Sequence, residues 1–117
     1  MTKNCILIVE DDRDIREELI AVLEENDYCV LVADHGLHAL ELLRAGNRPD
    51  AIILDLMMPV MDGWEFREAQ IRDPELACIP VIVTTASERT VPANALLRKP
   101  IDREKLLRVL AEHTRRN

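Results

Sequence analysis

Residues 50–56 read Asp50-Ala-Ile-Ile-Leu-Asp-Leu56, in which the aliphatic residues 51–54 lead into the acid Asp55. A run of this kind is typical of a strand that is buried on both faces, as in a parallel sheet. Cys5-Ile-Leu-Ile-Val9 has the same character, and the acids Glu10, Asp11 and Asp12 follow it directly. The sequence therefore predicts two central strands that each lead into carboxylates.

Strand and helix patterns alternate along the rest of the chain. Short apolar runs predict strands over 28–33, 80–85 and 95–98. Apolar residues at helical spacing predict helices after Asp12, over 36–45, from Asp62 to about Arg72, and after Asp102, with the three aspartates as N-caps. This alternation indicates βαβ units with a parallel sheet and helices on both faces. No internal repeat or linker interrupts it, so we expect one domain over residues 1–117.

Composition excludes several classes of protein. The 117 residues suffice for one domain with its own core, and the net charge of −7 argues against direct binding to nucleic acid or to an anionic membrane. Three cysteines without metal-ligand or C-x-x-C spacing suggest reduced thiols in a cytoplasmic protein. No apolar stretch approaches the roughly 20 residues of a membrane span, and no secretion signal is evident.

Reactive side chains follow the predicted strands at their carboxyl ends, where open parallel sheets bind ligands. They are the acids after the first strand, Asp55 at the end of the third, Thr84 and Thr85 at the end of the fourth and Lys99 just past the fifth. Clustered carboxylates repel one another unless a cation lies between them, and Mg²⁺ favours such oxygen ligands. Metal, ammonium and hydroxyl groups together are the parts that phosphoryl transfer needs.

Four motifs resemble the receiver domains of two-component response regulators, over nearly the whole chain. They are Val9-Glu10-Asp11-Asp12, Leu54-Asp55-Leu56-Met57-Met58-Pro59-Val60-Met61-Asp62-Gly63, Thr84-Thr85-Ala86 and Lys99-Pro100. The resemblance implies a doubly wound, flavodoxin-like α/β fold with five parallel strands in the order 2-1-3-4-5.

The resemblance also implies the site. Asp55 would accept a phosphoryl group from a phosphohistidine on a sensor histidine kinase or a histidine phosphotransfer protein. Asp12 and Asp55 would ligate Mg²⁺ directly, Asp11 through water and Met57 through its backbone carbonyl. The downstream protein partner is not identified by the sequence.

Two further residues complete the implied site. Thr85 would hydrogen-bond the phosphoryl oxygens, and Lys99 would pair with them. The Lys99-Pro100 peptide is often cis in the family. Asp62-Gly63 is adequately explained by turn and cap chemistry and is given no catalytic role.

The sequence also departs from the family pattern. Leu96 stands where many receivers have an aromatic residue, so an aromatic rotamer switch is not expected. Only residues 86–94 separate the fourth and fifth strands, and Thr90-Val91-Pro92 breaks them, so we predict that the fourth helix is missing or reduced to about one turn. Met57 and Ser87 flank the path of the hydrolytic water in receivers, and an apolar Met57 suggests a long-lived phospho-Asp55.

Two other functions remain open. A degenerate receiver would bind partners without being phosphorylated. A magnesium phosphatase with an aspartate nucleophile usually carries a second Asp two residues later, where this chain has Met57. We therefore expect no enzyme acting on external substrates, and catalysis only of the domain's own phosphorylation and dephosphorylation.

Overall fold

A computed structural model describes residues 3–58, 60–88 and 91–114, which contain five strands and four helices. The strands are β1 (Cys5–Val9), β2 (Cys29–Ala33), β3 (Ala51–Asp55), β4 (Val81–Thr85) and β5 (Ala95–Arg98). The helices are α1 (Arg13–Glu25), α2 (Gly36–Arg44), α3 (Gly63–Arg72) and α4 (Arg103–Thr114). No helix of the described residues combines the length and the apolar character that a membrane span requires. Pro59 and Thr90, which the motifs above include, lie outside the described residues.

The strands form one parallel sheet in the order β2-β1-β3-β4-β5, which confirms the predicted fold class. Strands β3 and β4 are buried along their whole length, as their aliphatic runs predict. Alternate residues of β1 enter different cores, because successive side chains of a strand point to opposite faces. Leu7 packs in the core that includes residues of α2 and α3, and Ile8 packs in the core that includes residues of α1 and α4.

Acids begin three of the helices, as predicted. The Asp12 carboxylate accepts hydrogen bonds from two backbone N–H groups in the first turn of α1. Asp62 and Glu65 form a reciprocal capping box at α3, and Asp102 accepts from a backbone N–H in the first turn of α4. A cap of this type stabilises a helix by about 1 kcal/mol. At α2 the N-cap is the imidazole of His35, which the sequence did not predict.

The described residues between β4 and β5, 86–88 and 91–94, contain no helix. This agrees with the prediction that the helix between these two strands is missing or much reduced, and α4 of this chain follows β5 instead. An irregular segment lies there and is tied to α3, because Arg67 Nε donates to the backbone oxygen of Pro92 at 3.0 Å. Arg67 also donates to the buried side chain of Gln70, and burial lowers the pKa of its guanidinium. Val91 and the half-buried Leu96 pack against the core on this side. A loop anchored by an arginine therefore occupies this connection.

Candidate functional site

The carboxyl edge of the sheet gathers side chains from four strands. Glu10 follows β1, Asp55 ends β3, Thr85 ends β4 and Lys99 follows β5. Asp55 is 4% exposed and Glu10 only 1%. The Lys99 backbone N–H donates to the carbonyl of Thr85 at 3.0 Å, which fixes the backbone of Lys99 relative to β4. The parallel register thus brings residues far apart in sequence to one place.

The Lys99 ammonium joins the two buried carboxylates. Its Nζ lies 3.0 Å from Glu10 Oε1 and 3.3 Å from Asp55 Oδ1. The Lys99-Pro100 peptide is cis, in line with the resemblance to receiver domains noted above. One cation is therefore shared between two acids.

Burial sets the protonation of this group. It raises the pKa of Glu10 to about 7, and the charge of Asp55 adds to the effect, although the hydrogen bond from Lys99 opposes it. Burial alone would lower the pKa of Lys99, but the hydrogen bond to Glu10 and the charges of Asp55 and Glu10 outweigh it and raise that pKa. Lys99 is thus held in its charged form, and the carboxylates have more negative charge than it neutralises.

Three carboxylates could hold a metal ion together. One oxygen from each of Glu10, Asp11 and Asp55 lies within 4.8 Å of the others. Asp12 is not in this group, because its carboxylate turns back to the backbone of α1 as an N-cap. Of the sequence-predicted metal ligands, the structure brings Asp11 and Asp55 together. Met57 is adjacent, since its backbone N–H donates to Asp55 Oδ1 at 3.3 Å.

Glu10 is a residue of this site that the sequence did not predict. Its backbone N–H donates to the carbonyl of Ala33 at 3.3 Å, so the pairing of β1 with β2 continues one residue beyond Val9. Strand geometry therefore directs the Glu10 side chain into the site. The signal in the sequence is that Glu10 is the first residue after Val9, the last aliphatic residue of the strand.

Close packing fixes the loop between Asp55 and α3. A Cβ at Gly63 would lie 2.6 Å from the Leu56 Cα and 2.8 Å from the Asp55 carbonyl oxygen, so only glycine fits there. The Gly63 N–H donates to the Leu56 carbonyl at 3.0 Å. Val60 in the same loop has a φ of 65°, a left-handed conformation that strains a β-branched residue. The loop beside the acceptor is thus tightly constrained and locally strained.

The carboxyl end of β4 supplies two hydroxyl groups at the same edge of the sheet. Thr85 is fully buried, and its Oγ1 accepts a hydrogen bond from the Ser87 backbone N–H at 2.9 Å. Thr84, in register with Asp55, has a buried hydroxyl without a hydrogen-bond partner in the described part of the chain. Met57 and Ser87 line one cleft beside the site, together with residues of the loop and of α3.

These features define a doubly wound α/β domain with an acidic site at the carboxyl edge of its sheet. The family model described as "Response regulator receiver domain" matches residues 6–111. The chain belongs to this family, the receiver domains of two-component signalling.

Curated relatives support the same family. Response regulator MprA of Mycobacterium sp. (strain KMS) is 43% identical over 111 residues, covering 87% of this chain and 46% of the relative. Response regulator MprA of Mycobacterium ulcerans is 42% identical with the same coverage. The chain thus spans about half the length of the curated relatives it matches.

Solved structures share the fold. A putative response regulator from Chloroflexus aurantiacus superposes with a TM-score of 0.89 at 27% identity, covering 98% of this chain and 100% of that one. The receiver domain of sensor histidine kinase PA1611 from Pseudomonas aeruginosa has a TM-score of 0.89 at 26% identity, covering 97% and 98% of the two chains. The latter was solved with a magnesium ion coordinated in its active-site cleft.

Proposed function

We propose that this domain takes a phosphoryl group from a phosphohistidine onto Asp55 and thereby changes its binding to a partner protein. The observation that carries the proposal is the buried Asp55 carboxylate, 3.3 Å from the Lys99 ammonium and within the three-carboxylate cluster. The donor would be a sensor histidine kinase or a histidine phosphotransfer protein, and the site of action the cytoplasm.

The chemistry is a single displacement at phosphorus. An Asp55 oxygen forms a bond to phosphorus as the phosphorus–nitrogen bond of the donor breaks, and the released imidazole takes a proton. The Lys99 ammonium compensates charge on the phosphoryl oxygens, and the Thr85 hydroxyl donates to one of them. Glu10 holds the lysine in place through its 3.0 Å contact.

The residues present fit Mg²⁺. Asp11 and Asp55 would ligate it directly with the Met57 carbonyl, and Glu10 would act through water, a set in which Glu10 and Asp11 replace the expected Asp11 and Asp12. When bound, Mg²⁺ neutralises the clustered carboxylates and the incoming phosphoryl charge. The oxygens within 4.8 Å of one another support this set, as does the magnesium ion in the cleft of the Pseudomonas aeruginosa relative.

Phosphorylation would act by shifting an equilibrium between conformations of the domain. The elements through which receivers of this family usually signal phosphorylation are altered. Leu96 replaces the aromatic residue, and the loop held by Arg67 replaces the helix between β4 and β5. This second alteration also favours an alternative function, a receiver that binds partners without phosphorylation.

One experiment separates the functions. The chain is incubated with Mg²⁺ and an acyl phosphate, and its intact mass is measured. We expect one added phosphoryl group that is lost in Asp55→Asn and on chelation of Mg²⁺, but retained in the matched control Asp62→Asn, whose carboxylate caps α3. No adduct would favour the phosphorylation-independent module, and sustained consumption of the donor would indicate a phosphatase.

A further inference from the structure

Two cysteines lie side by side at the amino end of the sheet, away from the phosphoacceptor edge. Cys5 and Cys29 are the first residues of β1 and β2 and are register partners in the parallel ladder. The Cys29 backbone N–H donates to the carbonyl of Asn4 at 2.9 Å, which holds this register at its first position. Neighbouring strands lie about 4.8 Å apart, within the Cα separation of about 4.4–6.8 Å that a disulfide spans.

Both thiols project from the same face of the sheet. Residues in register on parallel strands point to the same side, and side chains alternate along each strand. Leu7 and Leu31, each two residues further along, contact the same hydrophobic core as α2 and α3. Cys5 and Cys29 therefore share that face. Cys29 is exposed and Cys5 half-buried, so the pair is accessible to solutes through Cys29.

We propose that Cys5 and Cys29 form a redox-responsive dithiol that is oxidised to a cross-strand disulfide by a low-molecular-weight disulfide such as glutathione disulfide. The exposed Cys29 thiolate attacks one sulfur of the oxidant, which forms a mixed disulfide and releases one thiolate. The Cys5 thiolate then attacks the Cys29 sulfur and releases the second. The pair loses two electrons, the oxidant gains them, and the two protons pass to the released thiols.

The sheet geometry favours a reversible bridge over a permanent one. Ladder partners on parallel strands keep their Cβ atoms roughly as far apart as their backbones, whereas a relaxed disulfide has its Cβ atoms about 3.8 Å apart. Closing the bridge therefore pulls β2 towards β1. Strand β2 is at the edge of the sheet and pairs with β1 alone, but the bond is strained and easily reduced.

The third cysteine is a competing thiol, which the test removes. Cys78 is exposed and lies in the turn after α3, where its Sγ is 3.9 Å from the Glu75 carbonyl oxygen. It belongs to neither strand of the pair. An oxidant that reacts with all exposed thiols alike would leave mixed disulfides on both Cys29 and Cys78, whereas the dithiol would resolve the one on Cys29.

The test treats the folded Cys78→Ser chain with glutathione disulfide and maps its products by non-reducing mass spectrometry. We expect a monomer that has lost two hydrogens and carries no glutathione, linked between Cys5 and Cys29 and restored by dithiothreitol. Cys5→Ser in the same background, or Cys5→Ala if the serine variant is unfolded by circular dichroism, should stop at the glutathione adduct on Cys29. A stable adduct on Cys29 with Cys5 present, a disulfide-linked dimer, or no reaction would each overturn the proposal.

Discussion

Lys99 Nζ lies 3.0 Å from Glu10 Oε1, a contact that joins the ends of β1 and β5 across 89 positions of sequence. The glutamate is almost fully buried, and the same ammonium lies 3.3 Å from Asp55 Oδ1. One lysine therefore compensates two buried acids. Burial, with a smaller contribution from the charge of Asp55, raises the pKa of Glu10 and makes the stability of the domain depend on pH.

The first prediction concerns that dependence. The pKa of Glu10 is raised from 4.5 to about 7, so between these pH values the folded state keeps a proton that the unfolded state has lost. The contribution of Glu10 to the free energy of unfolding is therefore fully present below pH 4.5 and is lost as the pH rises through about 7. Relative to Glu10→Gln, the wild-type chain should lose on the order of 2–3 kcal/mol over this range.

Urea denaturation of both proteins across this pH range, followed by the fluorescence of the single tryptophan, Trp64, measures the difference. The glutamine variant is the matched control, because it keeps the size of the side chain and an oxygen that can accept from Lys99. Unfolding free energies that vary in parallel for the two proteins would contradict the prediction.

A second prediction separates the neighbouring acids Asp11 and Asp12. Asp11→Asn should weaken Mg²⁺ binding about 10-fold or more, since it removes a carboxylate of the cluster. Asp12→Ala should leave Mg²⁺ affinity within about 2-fold but lower stability by about 1 kcal/mol, because its carboxylate caps α1. Trp64, which lines the same cleft as Met57, is the fluorescent probe.

The measurement is a Mg²⁺ titration of Trp64 fluorescence alongside urea denaturation of each variant. Asp12→Asn is the control for the cap, because asparagine also caps helices well and should restore most of the stability. A loss of Mg²⁺ affinity in Asp12→Ala equal to that in Asp11→Asn would return Asp12 to the ligand set.

Which residues the sequence could place at this edge of the sheet, and which it could not, has one physical origin. Asp55 and Lys99 could be placed because a buried aliphatic run defines the end of its strand, and parallel strands bring their carboxyl ends together. The acids after β1 could not be assigned as securely, because strand ends are uncertain by a residue and Glu10, Asp11 and Asp12 are all carboxylates. Their different environments arise only when Glu10 pairs with β2 and Asp12 caps α1.

The connection from β4 to β5 was likewise predictable only in part. Its length sufficed to predict that the helix between these strands is missing or reduced to about one turn, because a full helix and its loops need more residues than 86–94 provide. The replacement could not be predicted, since it depends on tertiary contacts such as the hydrogen bond from Arg67 to the backbone at Pro92 and the packing of Val91 against the core. His35 as the cap of α2 was also missed, because histidine is not among the preferred N-cap residues.

The third prediction is that Val60→Gly stabilises the domain. Val60 has a φ of 65° and is 72% exposed, so its side chain contributes little packing while its backbone is strained. Glycine reaches this conformation without the steric cost, and the gain should be about 1 kcal/mol, seen as a higher urea midpoint. Val60→Ala is the control, because it removes the β-branch but keeps the Cβ, and it should recover only part of the gain. A glycine variant less stable than wild type would show that this loop is not strained.

The fourth prediction concerns the lifetime of the phosphorylated state. Met57 is 61% exposed and lines the same cleft as Ser87, beside Asp55. Its thioether is a weak hydrogen-bond acceptor and has no donor, so it orients an attacking water poorly. Met57→Asn supplies an amide at this position and should speed the decay of phospho-Asp55 about 2- to 10-fold, which corresponds to about 0.4–1.4 kcal/mol in the barrier.

Intact mass, followed over time after the phosphodonor is removed, gives the decay rate directly. Val60→Asn is the matched control, because it places the same amide in the same loop on a residue that does not line the cleft. Its decay rate should equal that of the wild-type chain. An unchanged rate in Met57→Asn would show that water reaches phospho-Asp55 without help from this side chain, and equal acceleration in both variants would assign the effect to the loop backbone.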